Sequence, residues 1–241
     1  MPKPSAADAA QRLRDHLTDV RTLRAGARAD PSLQAWRLAL RAFQAQRLER
    51  TYADLLANPR YGPAAAFFLS DLYGAKDVAA RDEGVARMLP RLVRVMPAAA
   101  LDTIARAVEL DALSERLDLA LVGELRRRDP SRAPAITDAA YADAYRAAGT
   151  PADRERQIAL TGEIGSALDR LARKPLLGTA LRVMEAPARN AGLGALHDFL
   201  ARGLQAFRHM RGADEFLRTI ETRERVINDQ IYAGESGALT L

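Results

Sequence analysis

Apolar residues recur at three- and four-residue spacing from one end of this chain to the other. No segment alternates polar and apolar residues over the length of a strand. A helix that carries one apolar stripe must bury it against another helix. The pattern therefore predicts an all-α fold. It reads as a single compact domain over residues 1–241, with roughly ten helices joined by short loops and the one place for a subdivision near 129–150.

Starts and stops follow the usual chemistry of helix ends. Ser5 or Asp8 opens a first helix on Leu13, Leu17, Val20 and Leu23, and Gly26 ends it. Asp30-Pro31 starts a long stripe through residues 31–57 that stops at Asn58-Pro59. Pro63 leads a helix with Phe67, Phe68 and Leu69, closed by Tyr73-Gly74, and residues 78–96 follow with a kink at Pro90. Residues 98–128 form one long helix, and a shorter one covers about 137–147. Thr150-Pro151 opens the next, running to about Arg173. Pro175 starts a short helix to about Glu185, Pro187 and Asn190 make a turn, and residues 192–210 and 213–232 are helical. The tail from Gly234 is expected to fray. No repeat of solenoid length and no sustained heptad is present.

Composition then removes whole classes of chemistry. There is no cysteine, which excludes thiol catalysis, Cys-zinc sites and iron–sulfur clusters. Lysine occurs only at Lys3, Lys76 and Lys174, so 33 of the 36 basic residues are arginine. Such arginine-rich usage most simply reflects GC-rich coding. The net charge is only +5, acids and bases are interleaved, and the one basic run, Arg126-Arg127-Arg128, meets Asp129 at once. With 5% aromatic residues and no stacking groups beside that run, nucleic acid is not expected as a partner. No stretch approaches ~18 apolar residues, so no membrane insertion is expected. The N-terminal residues lack a secretory apolar region, and Asp8, Asp15 and Asp19 do not suit a transit peptide. The cytoplasm is the expected location.

Catalytic motifs are missing: no Gly-rich phosphate loop, no G-x-S-x-G elbow, no H-E-x-x-H and no EF-hand loop. Neither His16, His197 nor His209 has an acid three residues before it, as carboxylate-bridged di-iron bundles require. His16, Glu49, Glu109, Asp111, His197 and His209 are the groups that a haem or metal site would use, and they are not expected to converge. No metal site and no cofactor is predicted.

The most unusual segment runs from Phe67-Phe68 through Asp71 and Tyr73 to Asp77, Arg81 and Asp82. An apolar wall beside clustered polar groups is the usual form of a ligand site. Asp71, Tyr73, Asp77, Arg81 and Asp82 are the candidate ligand-binding residues, Tyr73 and Arg81 as donors oriented by the carboxylates. The bland alternative is a loop lock in which Asp and Arg pair while Tyr73 caps the core.

The string FFLSDLYG, then KDVAARD, resembles an uncharacterised, mainly proteobacterial family of helical proteins with an F-F-L-x-D-L-Y-G block followed by D-x-x-x-R-D. The stretch from Phe207 to Glu224 also resembles that family's C-terminal part. The resemblance implies a bacterial helical protein and no particular activity, cofactor or catalytic residue. Three functional readings stand at this point. The first is a non-enzymatic protein that binds a protein partner or assembles with itself. The second is a helical-bundle enzyme or haem or metal binder. The third is a nucleic-acid-associated regulator, with the helices at 137–147 and 151–173 as a helix-turn-helix bearing Arg154 and Arg156.

Overall fold

The computed structural model describes residues 5–72, 98–129, 135–190, 192 and 194–239. Ten α-helices and no strand occur among them. They are α1 (Ala6–Ala29), α2 (Pro31–Thr51), α3 (Ala53–Ala57), α4 (Gly62–Phe67), α5 (Ala98–Arg128), α6 (Asp138–Ala148), α7 (Pro151–Ala172), α8 (Pro175–Asn190), α9 (Gly194–Met210) and α10 (Asp214–Ala233). A π-helical turn, Phe68–Leu72, continues α4.

The helix starts are those the local chemistry dictates. The Ser5 hydroxyl accepts from the Asp8 N–H (3.1 Å), and one Asp30 carboxylate oxygen accepts from the N–H groups of Ser32 (2.9 Å) and Leu33 (3.1 Å). Thr150 Oγ1 accepts from the Asp153 N–H (3.2 Å), with Pro151 at the first helical position. Each cap satisfies donors that the helix leaves open at its first turn.

Helix α5 is the axis. At 31 residues it is about 46 Å long, and α1, α2, α6 and α7 all pack on it. Ion pairs from Arg12 to Asp102 and from Arg24 to Glu115 show that α1 and α5 run in the same direction. One core gathers Trp36, Leu40, Leu121, Tyr141 and Ile231. A second, at the other side, gathers Phe67, Phe68, Phe207, Met210 and Phe216, with Phe68 tilted against both Phe207 and Phe216.

Four expectations need correction. Gly26 does not end α1, which continues to Ala29. A glycine inside a helix costs about 1 kcal/mol, and continuing it carries Ala27 into the core. The stripe over 31–57 is not one helix: it breaks at Tyr52, whose hydroxyl donates to Glu224 (2.6 Å). Pro187 lies inside α8 instead of in a turn. The carbonyl its ring deprives of a partner belongs to Val183, an exposed residue, so water can serve it. The tail does not fray, because Gly234 takes the left-handed conformation (φ 76°) and reverses the chain, burying Ala238 and Leu239 against the Trp36 core. The expected helix at 78–96, with its kink at Pro90, lies outside the described residues.

No helix among the described residues is long and apolar enough to cross a membrane.

Candidate functional site

Of the candidate ligand-binding residues, Asp71 falls in the π-helical turn. Tyr73, Asp77, Arg81 and Asp82 lie outside the described residues. The chemistry that the structure does display lies deeper in the bundle.

Two helices present polar stripes inward. On α2, Arg37, Arg41, Gln44 and Arg47 recur at helical spacing; on α5, so do Asp111, Glu115 and Asp118. Glu115, only 1% exposed, takes three guanidinium groups. Arg37 embraces it with two donors, Nε to Oε1 and Nη2 to Oε2 (2.7 Å for the second). Arg24 Nε and Arg41 Nη2 also donate to Oε2, at 3.1 and 3.0 Å. Arg24 reaches Asp111 as well (2.7 Å). Burial pushes the Glu115 pKa up, but the pair with Arg37 and the charges of Arg41 and Arg24 more than offset this and hold it low. This cluster is closed: its carboxylate is saturated with donors.

Further along, Arg47 grips Glu224 of α10 with two parallel bonds (2.8 and 3.1 Å). Burial alone would raise the Glu224 pKa; Arg47 and the Tyr52 hydroxyl leave it lowered. Asp118 is different. It is buried, forms no ion pair within 4.0 Å and accepts from Gln44 Nε2 at 2.8 Å. Desolvation dominates there and its pKa is raised.

Arg154, at the start of α7, is 3% exposed. Its Nη1 donates to Gln157 Oε1 (3.2 Å), and Gln157 in turn donates to the Ser114 hydroxyl (2.8 Å). Its guanidinium carbon sits 4.0 Å from the centre of the Tyr145 ring, a cation–π contact. The Tyr145 hydroxyl donates to Asn228 (3.0 Å) and the Tyr232 hydroxyl to the Gly149 carbonyl (3.3 Å). Nε and Nη2 of Arg154 are buried with no acceptor among the described residues.

These groups border a cavity of about 130 Å³ between α2, α5, α7 and α10. Gln44, Asp118, Tyr141, Tyr145, Arg154 and Gln157 line it with polar groups, as do the ion-paired Arg47, Glu221 and Glu224; Leu55, Ala65, Phe68, Phe216 and Leu217 line it with apolar ones. Such a concavity, with both apolar and polar lining groups, can orient a small organic molecule.

A wider groove of about 1150 Å³ opens at the surface between α8 and α9. His197 and His209 both border it, about 18 Å apart along α9. Two of its four arginines already serve helix ends. Arg208 donates to the Ala172 and Lys174 carbonyls (3.0 and 2.9 Å), and Arg60 to those of Met210 and Gly212 (2.8 and 3.2 Å). The His209 ring meets the Pro59 carbonyl (2.8 Å). Among the other histidine and acid candidates, Glu109 pairs with Arg156 (2.7 Å) and Asp111 with Arg24; His197 lies against the Leu181 carbonyl (2.9 Å). No group of three such residues able to hold a metal occurs among the described residues.

The helix pair expected as a helix-turn-helix exists as α6 and α7, but Arg154 points inward and Arg156 is engaged by Glu109 and Glu163. Neither is presented for a DNA groove. Sequence reasoning misses Glu115 and Asp118 and places Arg154 on an exposed face, whereas it is buried. The available signal was the shared spacing of Arg37, Arg41 and Gln44 with Asp111, Glu115 and Asp118, four residues and then three, which puts opposite charges on two single helix faces.

No curated protein and no solved structure matches this sequence. One family does match, over residues 23–238, a span that takes in every helix bordering the cavity. The chain belongs to the family described as Domain of unknown function (DUF8198).

Proposed function

We propose that this protein is a small-molecule-binding protein whose ligand sits inside the helical bundle, in the cavity between α2, α5, α7 and α10. One observation carries the reading: a buried concavity of ligand size joins an apolar wall at Phe68 and Phe216 to polar side chains from four different helices. An engineered cavity of about 150 Å³ accepts benzene, so about 130 Å³ suits a molecule of that order. In this reading the chain works as one unit in the cytoplasm. Contacts that span residues 129–150, from Arg47 to Glu224 (2.8 Å) and from Glu109 to Arg156 (2.7 Å), support treating it so.

The test is ligand-observed NMR on the full chain with a set of fragments of about six to ten non-hydrogen atoms. Fragments are expected to bind the parent protein and to be excluded by Ala65→Leu, which adds bulk among the apolar lining residues. A parent protein that binds no fragment in the set sinks the reading. Binding unchanged in a folded Ala65→Leu protein moves the site elsewhere.

A further inference from the structure

The surface groove between α8 and α9 shares no lining residue with the cavity inside the bundle. At about 1150 Å³ it exceeds the range of about 300–1,000 Å³ usual for a small-molecule pocket, so its size suits a segment of another chain. Each helix gives it one face: Leu181, Arg182 and Glu185 from α8, and Ala201, Leu204 and Arg208 from α9. A trough between two packed helices is a shape that receives a third.

The groove joins an apolar floor at Leu181, Ala201 and Leu204 to one-sided charge. Four arginines border it, Arg60, Arg182, Arg208 and Arg211, against a single acid, Glu185, which already pairs with Arg189 (3.4 Å). Arg60 meets one carboxylate, Glu215, at 3.7 Å. Arg208 meets the carbonyls of Ala172 and Lys174, and Arg182 lies 3.5 Å from the Thr179 hydroxyl; these partners are neutral and leave the positive charges standing. Arg211 follows the last residue of α9 in the left-handed conformation (φ 56°), which glycine adopts without strain. The Met210 carbonyl at that helix end already accepts from Arg60 (2.8 Å), so closing the helix calls for no second arginine. An exposed cation therefore stands at the mouth of the groove where the backbone favours a residue with no side chain.

No Phe, Tyr or Trp borders the groove, so it offers no stacking platform for bases. An apolar floor within a ring of arginines complements a helix that is apolar on one face and acidic along its edges. We propose that the groove between α8 and α9 docks an acidic amphipathic helix of a partner protein, its apolar stripe on Leu181 and Leu204 and its carboxylates against Arg182, Arg208 and Arg211. Charge complementarity selects this occupant.

Fluorescence anisotropy on the full chain tests it. The probe is a labelled peptide of about 16 residues, the length of α8, with Leu at helical spacing along one face and Glu elsewhere; the control has Gln in place of every Glu. The Glu peptide is expected to bind at least about tenfold more tightly than the Gln peptide, and more weakly as salt rises. Arg182→Glu combined with Arg211→Glu removes that preference. Arg14→Glu combined with Arg21→Glu on α1 changes the net charge equally and leaves it intact. All four positions are exposed, so neither double variant disturbs the core. A Glu peptide that does not bind the parent, or binds it no better than the Gln peptide, overturns the proposal without any variant. Equal losses in the two double variants would reduce the effect to net charge and overturn it too. A single-stranded DNA oligonucleotide that binds more tightly than the Glu peptide and is lost with Arg182 and Arg211 would make the groove a nucleic-acid site instead. A parent dimer in sedimentation that dissociates in the Arg182→Glu, Arg211→Glu protein would make the occupant a second copy.

Discussion

Glu115 and Arg154 are charges of opposite sign buried in the same bundle, one on α5 and the other on α7, which packs against it, and their surroundings differ in kind. Glu115 receives donors from Arg24, Arg37 and Arg41, so three helices are tied at one carboxylate and both of its oxygens are engaged. Arg154 receives one amide oxygen and an aromatic face, and one edge of its guanidinium has no acceptor. Desolvation is severe at both. At Glu115 the compensating charges are in direct contact; at Arg154 the nearby charge of Asp118 acts without an ion-pair contact. A buried charge that its own chain fully pairs is scaffold.

Substitutions can break this contrast. The largest effect is expected at Glu115→Gln, which strands three guanidinium groups around a neutral amide and should lower unfolding free energy by about 3–5 kcal/mol. Urea unfolding measures it, and a loss near zero would mean that the cluster is not the scaffold described. Arg154→Gln, by contrast, removes an unmatched charge together with its cation–π contact. The net change should stay within about 1 kcal/mol in the same assay. A loss as large as that at Glu115 would show that Arg154 has a structural role and erase the difference.

The smallest effect sharpens the comparison through pH. Glu115 has a lowered folded-state pKa, so its stabilisation is present above the unfolded value of about 4.3 and is lost as pH falls through the folded one. Asp118 has a raised folded-state pKa, so the sign reverses. Its contribution is full below the unfolded value of about 3.9 and is lost as pH rises through the folded one. Asp118→Asn should therefore gain stability relative to the parent as pH rises above about 4. A difference between the two proteins that does not change with pH would contradict the assignment.

Much of the fold was legible because its signals are local. The side chains of Ser5, Asp30 and Thr150 reach only two or three residues ahead to cap a helix, so the sequence around them contains the whole interaction. Where the reading went astray, the deciding partner was distant. Tyr52 breaks the stripe over 31–57 while bonded to Glu224, and the tail is buried against Trp36 far back in the chain. The candidate site was legible only in outline. Arg37 and Arg41 flank Trp36 and Leu40, so their charges read as a solvated face until the facing acids on α5 are known. The π-helical turn at Phe68–Leu72 has no simple sequence signature, yet its first two residues border the cavity.

By itself the sequence determined that this protein is all-helical, where most helices start, and that cysteine chemistry is absent, because composition and helix signals need no knowledge of what folds next to what. Only the tertiary structure decided which of the described arginines face inward, which carboxylates meet them, and that one edge of Arg154 has no acceptor among the described residues. Pairing of charges is a property of two helix faces together. One strand of sequence holds each face but not their meeting.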